Sequence, residues 1–334
     1  MTLSPTSLHL TAPGLSLEIL RRGASIRRLD LTGSDGTTTN VVLGLSDSSD
    51  YGQAPGYHGA TIGRFANRIA RGTFTIEGRP HHLSTNEGDN TLHGGRRGFD
   101  QQDWSVVEHS PGQLTLRLVS PDGDQGFPGE LTAYTTYDVA PGEVRITHTA
   151  TTTAATPVSL TNHSYVNLDG EGADSIDDHL LTVHADAYTP TGPDLVPTGE
   201  LRDVAGTPFD LREPRRIGDV VRVPHPDVLL GKGLDHNFVV DGEGLRIHAE
   251  LVGRHRRLLL LSDHPALQVY AGGQLDGTLL GTSGRLYRQG AGIALEPQRF
   301  PDAPNQHAFP SATLQPGEEY RSTIIWRFID RDDA

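Results

Sequence analysis

Residues 111–146 read PGQLTLRLVSPDGDQGFPGELTAYTTYDVAPGEVRI, and this stretch indicates the class of the fold. Apolar residues alternate with polar ones over 114–118 (LTLRL) and again over 144–146 (VRI). A repeat of two residues is typical of a strand with one face in the core and the other in solvent. Pro-Gly pairs precede both runs, and Pro followed by Gly favours a tight turn. The stretch therefore predicts short antiparallel strands joined by turns.

The same pattern recurs along the rest of the 334-residue chain. Apolar and polar residues alternate over 15–19 (LSLEI) and 245–251 (LRIHAEL), and several Asp-Gly pairs favour hairpins. No apolar pattern of helical period continues for about 12 residues, the length of an ordinary helix, although 203–221 has room for one or two helical turns. No repeat or linker divides the chain. We therefore expect one all-β domain over residues 1–334, a large antiparallel β-sandwich or a barrel, with few short helices.

The composition excludes several classes of function. Lys and Arg number 28 and Asp and Glu number 42, which gives a net charge of −14 with His neutral. A surface of that charge repels nucleic acids and anionic membranes. The chain has no Cys, which excludes disulfides, thiolate metal sites and cysteine nucleophiles. Since the longest apolar run is 258–261 and residues 1–14 lack a signal-peptide pattern, we expect a cytoplasmic protein with no membrane partner.

Two glycine-rich loops carry candidate binding residues. In the first loop, 59–72 (GATIGRFANRIARG), the polar residues are Arg64, Asn67, Arg68 and Arg71. A solvated loop is the simple explanation, but such a basic run is unexpected in an acidic chain. In the second loop, 85–98 (TNEGDNTLHGGRRG), His93 precedes two glycines, so the backbone can approach a ligand closely there.

Three further stretches carry candidate groups. Residues 161–170 (TNHSYVNLDG) crowd Asn, His, Ser and Tyr side chains, which suits sugar hydroxyls but also a polar turn held by local hydrogen bonds. Residues 234–238 (LDHNF) place an acid and a histidine before an apolar pair. Glu296 follows the apolar run 293–295, and a buried carboxylate is costly unless it is paired or functional. Although the chain has 16 His, it has no HExxH motif or similar spacing, so we expect no metal site.

In their order along the chain, these stretches resemble the aldose 1-epimerases, or galactose mutarotases. The matching pieces are GRFANRIARG, NTLHGG with GFDQQDW, SPDGDQGFPG, TNHSYVNLDG, YTPTG, LDHNF, QVYAGGQLDGT, ALEPQRFPDAPNQ and LQPGEEYRSTIIWRF. They extend from about residue 50 to residue 328, so the resemblance covers nearly the whole chain. Each piece alone is a weak signal, and it is their shared order that indicates the family.

The resemblance implies a fold and an activity. The fold is a large antiparallel β-sandwich of the galactose mutarotase-like type, with the active site in a cleft on its concave face. The activity is that of an isomerase that interconverts α and β anomers of free aldohexoses such as D-galactose or D-glucose. It implies no metal and no organic cofactor. The implied partner is a small aldose, and the implied assembly is a monomer or a homodimer.

The resemblance also implies roles for individual residues. Glu296 matches the general base, His163 the general acid, and His93 a second histidine near the ring oxygen of the sugar. The residues that match contacts to sugar hydroxyls are Asn67, Arg68, Asp235 and Gln268. The reaction needs a base at the C1 hydroxyl and an acid at the ring oxygen. We expect attraction between the two groups to lower the pKa of Glu296, raise the pKa of His163 and give a bell-shaped pH profile.

Four positions depart from the residues usual in the family. They are Val166, Leu234, Gly273 and Pro297. By the resemblance they lie beside the sugar rather than on the acid–base groups. The loss of aromatic area at these positions would open the pocket to a larger or modified sugar.

Three other functions remain open at this point. One is an enzyme of the same fold that acts on a phosphorylated or modified sugar, which would show extra arginines in the cleft. The loop arginines available for that role are Arg64, Arg71, Arg96 and Arg97. Another is a non-catalytic carbohydrate-binding protein, which would tolerate the loss of Glu296 or His163. The third is a glycoside hydrolase, which needs two carboxylates ~5–9.5 Å apart, a pair that Glu296 and Asp235 could supply.

Overall fold

The computed structural model describes residues 7–331. Within them lie 29 strands, two short α-helices and four 3₁₀ turns. The expectation that no signal peptide is present falls partly on residues 1–6, which lie outside the described residues, as do residues 332–334.

The strands are short in the loops that surround the site and longest in the main sheet. In chain order, the first sixteen are β1 Ser7–Ala12, β2 Leu15–Leu20, β3 Ser25–Thr32, β4 Thr38–Asn40, β5 Thr61–Ile62, β6 Arg68–Ile69, β7 Thr73–Ile76, β8 Arg79–His82, β9 Thr91–Leu92, β10 Ser105–His109, β11 Gln113–Ser120, β12 Leu131–Ala140, β13 Glu143–Thr152, β14 Thr156–Pro157, β15 Thr161–Asn162 and β16 Tyr165–Val166. The others are β17 Leu180–Val183, β18 Ala187–Thr189, β19 Arg202–Asp203, β20 Arg215–Arg216, β21 Asp235–Val239, β22 Arg246–Val252, β23 Arg256–Ser262, β24 Ala266–Tyr270, β25 Asp276–Leu280, β26 Leu286–Arg288, β27 Ile293–Gln298, β28 Thr313–Leu314 and β29 Tyr320–Asp330.

The helical segments are few and short. The α-helices are α1 Ile217–Val220 and α2 Pro226–Leu230, and the 3₁₀ turns are Ser48–Asp50, Ala70–Gly72, Phe99–Gln101 and Asp124–Gly126. The first α-helix lies in the stretch 203–221, where the sequence left room for helical turns. Within residues 7–331, no helix combines the length and the apolar character needed to cross a membrane.

Three sheets account for most of the strands. The largest has nine strands in the order β10-β11-β12-β13-β29-β23-β22-β17-β20, the second has six in the order β16-β27-β24-β21-β18-β19, and the third has four, β1-β2-β3-β4. Five two-stranded pairs complete the topology: β14-β28, β5-β15, β25-β26, β6-β9 and β7-β8. The strand pairs of the large sheets are antiparallel. The predicted antiparallel β-sandwich with few short helices is therefore confirmed.

The alternating runs form strands for the reason that the sequence suggested. In β11 the leucines at 114, 116 and 118 are buried, whereas Thr115 and Arg117 lie on the other face. β11 pairs in register with β12, and β12 with β13, so the run 144–146 adds its apolar side chains to the same core. Each buried methylene stabilises the fold by about 0.8 kcal/mol. This favours the observed register, because a slip of one residue would expose every one of these side chains.

One alternating run differs from the expectation. A β-bulge shifts the register of β22 against β23 between Ile247 and Ala249. The bulge inverts the phase, so Leu245 is 50% and Ile247 38% exposed, while His248 and Ala249 are both fully buried. The prediction that 245–251 keeps one buried face is wrong in its first half, because the period of two does not persist across an extra residue.

The two faces of the six-stranded sheet have different surroundings. Leu267, Val269 and Leu295 belong to the main hydrophobic cluster, which also contains residues of the nine-stranded sheet. Successive side chains of a strand point to opposite faces. The side chains at 268 and 296 therefore lie on the face turned away from that core. This alternation carries polar groups onto one side of the sheet, although both strands are buried along their length.

Candidate functional site

A cavity of about 320 Å³ lies over this polar face. All seven residues singled out from the sequence line it: Asn67, Arg68, His93, His163, Asp235, Gln268 and Glu296. They come from six separate segments. The most distant of them, Asn67 and Glu296, are more than 200 positions apart in the sequence. Each of these side chains faces the same volume.

The six-stranded sheet supplies three of the seven residues. Gln268 on β24 lies directly opposite Glu296 on β27 in the antiparallel register. Asp235 begins the adjacent strand β21, and the Gln268 side-chain amide donates to Asp235 Oδ1 at 2.6 Å. These side chains therefore form a row across neighbouring strands. A row of this kind is held by the sheet itself rather than by flexible loops.

His163 reaches the cavity from the loop between β15 and β16. Its own backbone N–H donates to the Ala60 carbonyl, and Asn162 Nδ2 donates to the Gly59 carbonyl at 2.9 Å. Asn162 Oδ1 in turn accepts from the backbone of Ser164. The stretch 161–170 is therefore in part the polar turn that the sequence allowed. Its local hydrogen bonds fix the backbone that carries His163 into the site.

His93 is fixed by a reciprocal pair of contacts with Asn67. The Asn67 backbone N–H donates to His93 Nδ1 at 3.1 Å, and the His93 backbone N–H donates to the Asn67 carbonyl at 3.1 Å. Because a backbone N–H can only donate, His93 Nδ1 must be the unprotonated nitrogen. Burial, with smaller contributions from His163 and Arg68, lowers the pKa of His93 well below its ordinary value. His93 is therefore neutral and carries its proton on Nε2, where it is a hydrogen-bond donor.

His93, His163 and Glu296 also have the spacing of a metal site. Their potential ligand atoms all lie within 4.8 Å of one another. A metal-bound histidine normally donates its second ring N–H to an acceptor, which leaves the other nitrogen free for the metal. His93 has the opposite arrangement, since its Nδ1 accepts a backbone N–H and its Nε2 bears the proton. The donor set therefore does not suit a divalent cation.

His163 and Glu296 form a contact between a histidine and a carboxyl group in the cavity. His163 Nε2 lies 3.6 Å from Glu296 Oε1, which is the geometry of an ion pair. Burial nevertheless raises the pKa of Glu296 well above its ordinary value, with a further contribution from the charge of Asp235. Burial also lowers the pKa of His163 to about 3. We expected attraction to lower the pKa of Glu296 and to raise the pKa of His163. That expectation is wrong, because loss of hydration outweighs attraction at 3.6 Å.

The arginines of the loop 59–72 have different environments. Arg68 lines the cavity and holds Glu87 through two hydrogen bonds, Nε to Oε2 at 2.6 Å and Nη2 to Oε1 at 2.7 Å. Arg64 is buried and donates to the carbonyls of residues 120, 121, 128 and 129. None of the four arginines considered for a phosphosugar enzyme lines the cavity. The alternative of a phosphosugar enzyme therefore gains no support from extra arginines in this cavity.

Sequence reasoning missed several lining residues, of which Tyr57, Tyr270 and Glu87 bear most on the chemistry of the cavity. Tyr57 packs against His93 with ring centroids 4.6 Å apart and lies 5.7 Å from the ring of His163. It sits in the loop 51–57 (YGQAPGY), which has no periodic signal. Tyr270 could have been found, because it is two residues beyond Gln268 on one strand and so shares its face. Glu87 is the third, and nothing in the sequence distinguishes it from an ordinary loop carboxylate.

The four departures from the family pattern do not lie where the resemblance placed them, since none lines the cavity. Leu234 and Val166 are buried in the main hydrophobic cluster. Gly273 packs against the backbone of Lys232. Pro297 follows Glu296 on β27, so its side chain lies on the opposite face of the strand from Glu296. The expectation of a pocket opened by lost aromatic residues is therefore wrong.

Comparisons with known proteins agree with this fold. The family model described as aldose 1-epimerase matches residues 6–327. The chain is 42% identical over 319 residues to the galactose mutarotase of Homo sapiens, covering 94% of this chain and 91% of that protein. It is 37% identical over 324 residues to the aldose 1-epimerase of Escherichia coli (strain K12), covering 95% and 92%. The crystal structure of an aldose epimerase homologue from C. elegans superposes with a TM-score of 0.90 at 28% identity, covering 98% and 99%. On this evidence the chain belongs to the aldose 1-epimerase family, whose members are isomerases that act on carbohydrates.

Proposed function

We propose that this chain interconverts the α and β anomers of free aldohexoses such as D-galactose or D-glucose. The observation that carries the proposal is the contact between His163 Nε2 and Glu296 Oε1 at 3.6 Å in the cavity. One group that accepts a proton and one that donates it, side by side, are what opening of a hemiacetal ring requires. The names of the relatives support the same reaction.

The reaction proceeds by ring opening and reclosure. Glu296 removes the proton of the C1 hydroxyl while His163 protonates the ring oxygen, and the bond between C1 and O5 breaks. The resulting aldehyde rotates about C1–C2. The O5 hydroxyl then attacks the other face of the carbonyl, and the two residues return the protons in reversed roles. Protons alone are exchanged, so atoms and electrons balance without a redox partner.

Burial of the pair favours the ring-opened state. Ring opening converts a charged pair, Glu296 ionised and His163 protonated, into a neutral one with the same number of protons. Burial raises the pKa of Glu296 and lowers the pKa of His163, and both shifts favour the neutral arrangement. Because the same shifts make the neutral form the more stable one in the free site, the proton must first pass from Glu296 to His163, and the transfers that open the ring then return the pair to its neutral form.

The remaining cavity residues hold the sugar. His93 donates from Nε2 and stabilises the oxygen on which charge develops. Asn67, Arg68, Asp235 and Gln268 supply donors and acceptors for the sugar hydroxyls. The rings of Tyr57 and Tyr270 offer apolar faces to the C–H groups of the sugar.

We further propose that residues 1–334 act as one domain, in the cytoplasm, as a monomer or a homodimer. The main hydrophobic cluster draws residues from Leu10 to Phe328, which supports a single folding unit. The absence of Cys fits a reducing compartment. The reaction itself needs only proton transfers and therefore no cofactor.

Polarimetry tests the proposed activity directly. Freshly dissolved α-D-galactose and α-D-glucose approach their equilibrium rotation by a slow first-order process. We expect the chain to accelerate this decay in proportion to its concentration, and the two sugars to be ranked by kcat/KM. If protein shown to be folded by circular dichroism accelerated neither sugar, the proposed function would be wrong.

The pH dependence gives an independent test of the pair. We expect a bell-shaped profile of kcat/KM, because the active form is the pair with one proton, and its limbs belong to the pair as a whole. The charge of Asp235 contributes to the raised pKa of Glu296. Asp235→Asn should therefore lower that pKa, so that the pair loses its proton at lower pH and the alkaline limb moves towards acid. An alkaline limb that stays in place, whatever the loss of overall rate, would contradict this assignment.

A further inference from the structure

The ion pair between Arg68 and Glu87 occupies one wall of the cavity. Arg68 uses Nε and Nη2 to bind both carboxylate oxygens of Glu87, at 2.6 and 2.7 Å. The Arg68 side chain is 8% and the Glu87 side chain 37% exposed. Two parallel hydrogen bonds between a guanidinium and a carboxylate are strong and geometrically specific. The contact leaves Nη1 and the second N–H of Nη2 as the donors through which Arg68 can bind a ligand.

The charges around the cavity are mostly negative. Arg68 is the one Lys or Arg among the described residues that line it, and the carboxyls of Glu87, Asp235 and Glu296 line it as well. Lys232 lies nearby and donates to Gln274 Oε1 at 3.0 Å, but it is not part of the lining. The single positive charge in the wall is thus already neutralised by Glu87.

We propose that Glu87 determines the charge specificity of the site by keeping Arg68 neutralised, so that the enzyme accepts neutral aldoses and rejects sugars that bear a carboxylate or a phosphate. The inference rests on the proposed function and specifies its substrate class. Glu87 acts through Arg68, so it is a specificity-determining residue and not a catalytic one.

The physical reason is competition for one guanidinium. An anionic sugar that accepts from the free N–H groups of Arg68 meets a guanidinium whose charge Glu87 already balances, so it gains little net attraction unless Arg68 turns away from Glu87. That exchange leaves Glu87 unpaired and brings a second negative charge close to it and to Asp235. A neutral sugar avoids this cost, because its hydroxyls accept from Nη1 while the ion pair stays intact. The site therefore binds uncharged hydroxyl groups in preference to anions.

The test compares three substrates that differ mainly at C6. They are D-galactose, D-galacturonate and D-galacturonamide, and the last keeps the planar C6 group of the uronate without its charge. At pH 7 we expect wild-type kcat/KM to be at least about tenfold lower for the uronate than for the amide, a factor equal to ~1.4 kcal/mol. Glu87→Gln removes the neutralising charge and should raise the kcat/KM of the uronate relative to that of the amide about fivefold, as expected for one partly exposed charge near the ligand.

A matched control is available in the same loop. Asp89 is exposed, two residues from Glu87, and outside the cavity lining, so Asp89→Asn changes the net charge of the loop by the same amount. Asp89→Asn should leave the ratio of uronate to amide as in the wild type. If Glu87→Gln and Asp89→Asn changed it equally, or if the wild type turned over uronate and amide alike, the inference would be overturned.

The experiment separates this inference from the proposed function. Activity of the wild type on D-galactose establishes the mutarotase reaction whatever the uronate result. Failure on all three sugars would refute the proposed function, whereas equal activity on all three would refute the role of Glu87 alone. A shift in KM for the uronate, with little change in kcat, is the expected signature of altered binding.

Discussion

Replacement of Glu296 by glutamine should lower kcat/KM for α-D-galactose by ~10²–10⁴-fold, the usual contribution of a positioned acid or base. Glutamine keeps the size of the side chain, but its amide neither accepts nor releases a proton at neutral pH. Glu296 is the cavity carboxylate next to His163, and its burial is nearly complete. Polarimetry on the purified variant measures the effect. A variant that retained more than about a tenth of the wild-type rate would exclude Glu296 as the base.

Two controls show that the loss is chemical and not structural. Glu108→Gln makes the same chemical change on the exposed edge strand β10 and should leave kcat/KM unchanged. The melting temperature of Glu296→Gln should stay close to that of the wild type, because the glutamine amide matches the buried, protonated carboxyl in size and in charge. A lower melting temperature together with lost activity would point to a structural role for Glu296.

Replacement of Arg64 by methionine should destabilise the fold by about 3–5 kcal/mol, the cost of removing one partner from a buried charged network. The guanidinium of Arg64 donates to the Ser120 hydroxyl and to four backbone carbonyls, at 2.7 to 3.1 Å. Methionine packs a similar volume but donates no hydrogen bond, so it takes this donor away from the buried carbonyls of residues 120 and 129, and each unsatisfied buried group costs about 1–3 kcal/mol. The midpoint and slope of urea unfolding measure the change.

The chemistry of the donor can be separated from its charge. Arg64→Lys keeps the charge, but an ammonium with three donors cannot serve carbonyls on both segments, 120–121 and 128–129. We expect it to lose more than half of the stability that Arg64→Met loses. Arg97→Met, at an exposed position of the neighbouring loop, should change stability by less than about 0.5 kcal/mol. Equal stability of the variants at 64 and 97 would contradict a structural role for Arg64.

Arg64 and Arg68 show how far a sequence motif predicts the residues of a site. Arg64 and Arg68 belong to the same stretch, GRFANR, and the sequence offers no means of separating them. In the structure Arg64 holds the backbone of another loop, whereas Arg68 lines the cavity. The difference lies in what surrounds each guanidinium, and those neighbours come from elsewhere in the chain.

The chemistry of the acid–base pair gives the same result. A resemblance indicated Glu296 and His163 as partners, and the fold places them 3.6 Å apart. The predicted direction of their pKa shifts was nevertheless wrong. The types of two residues indicate that they attract each other, whereas the extent to which both lose hydration depends on the fold. The protonated nitrogen of His93 likewise depends on one backbone N–H, that of Asn67.

The strand class of this protein, the turns between its strands and the family whose motifs it carries can all be predicted from the amino-acid sequence. These follow from local causes, because a period of two, a Pro-Gly pair and a short motif are each complete within a few residues. Four features depend instead on tertiary contacts. They are the phase of β22 after its bulge, the structural role of Arg64, the partner of Arg68, and the preference of His163 and Glu296 for their neutral forms. Each of these depends on which groups from distant segments exclude water around a side chain, and that is a property of the packed molecule.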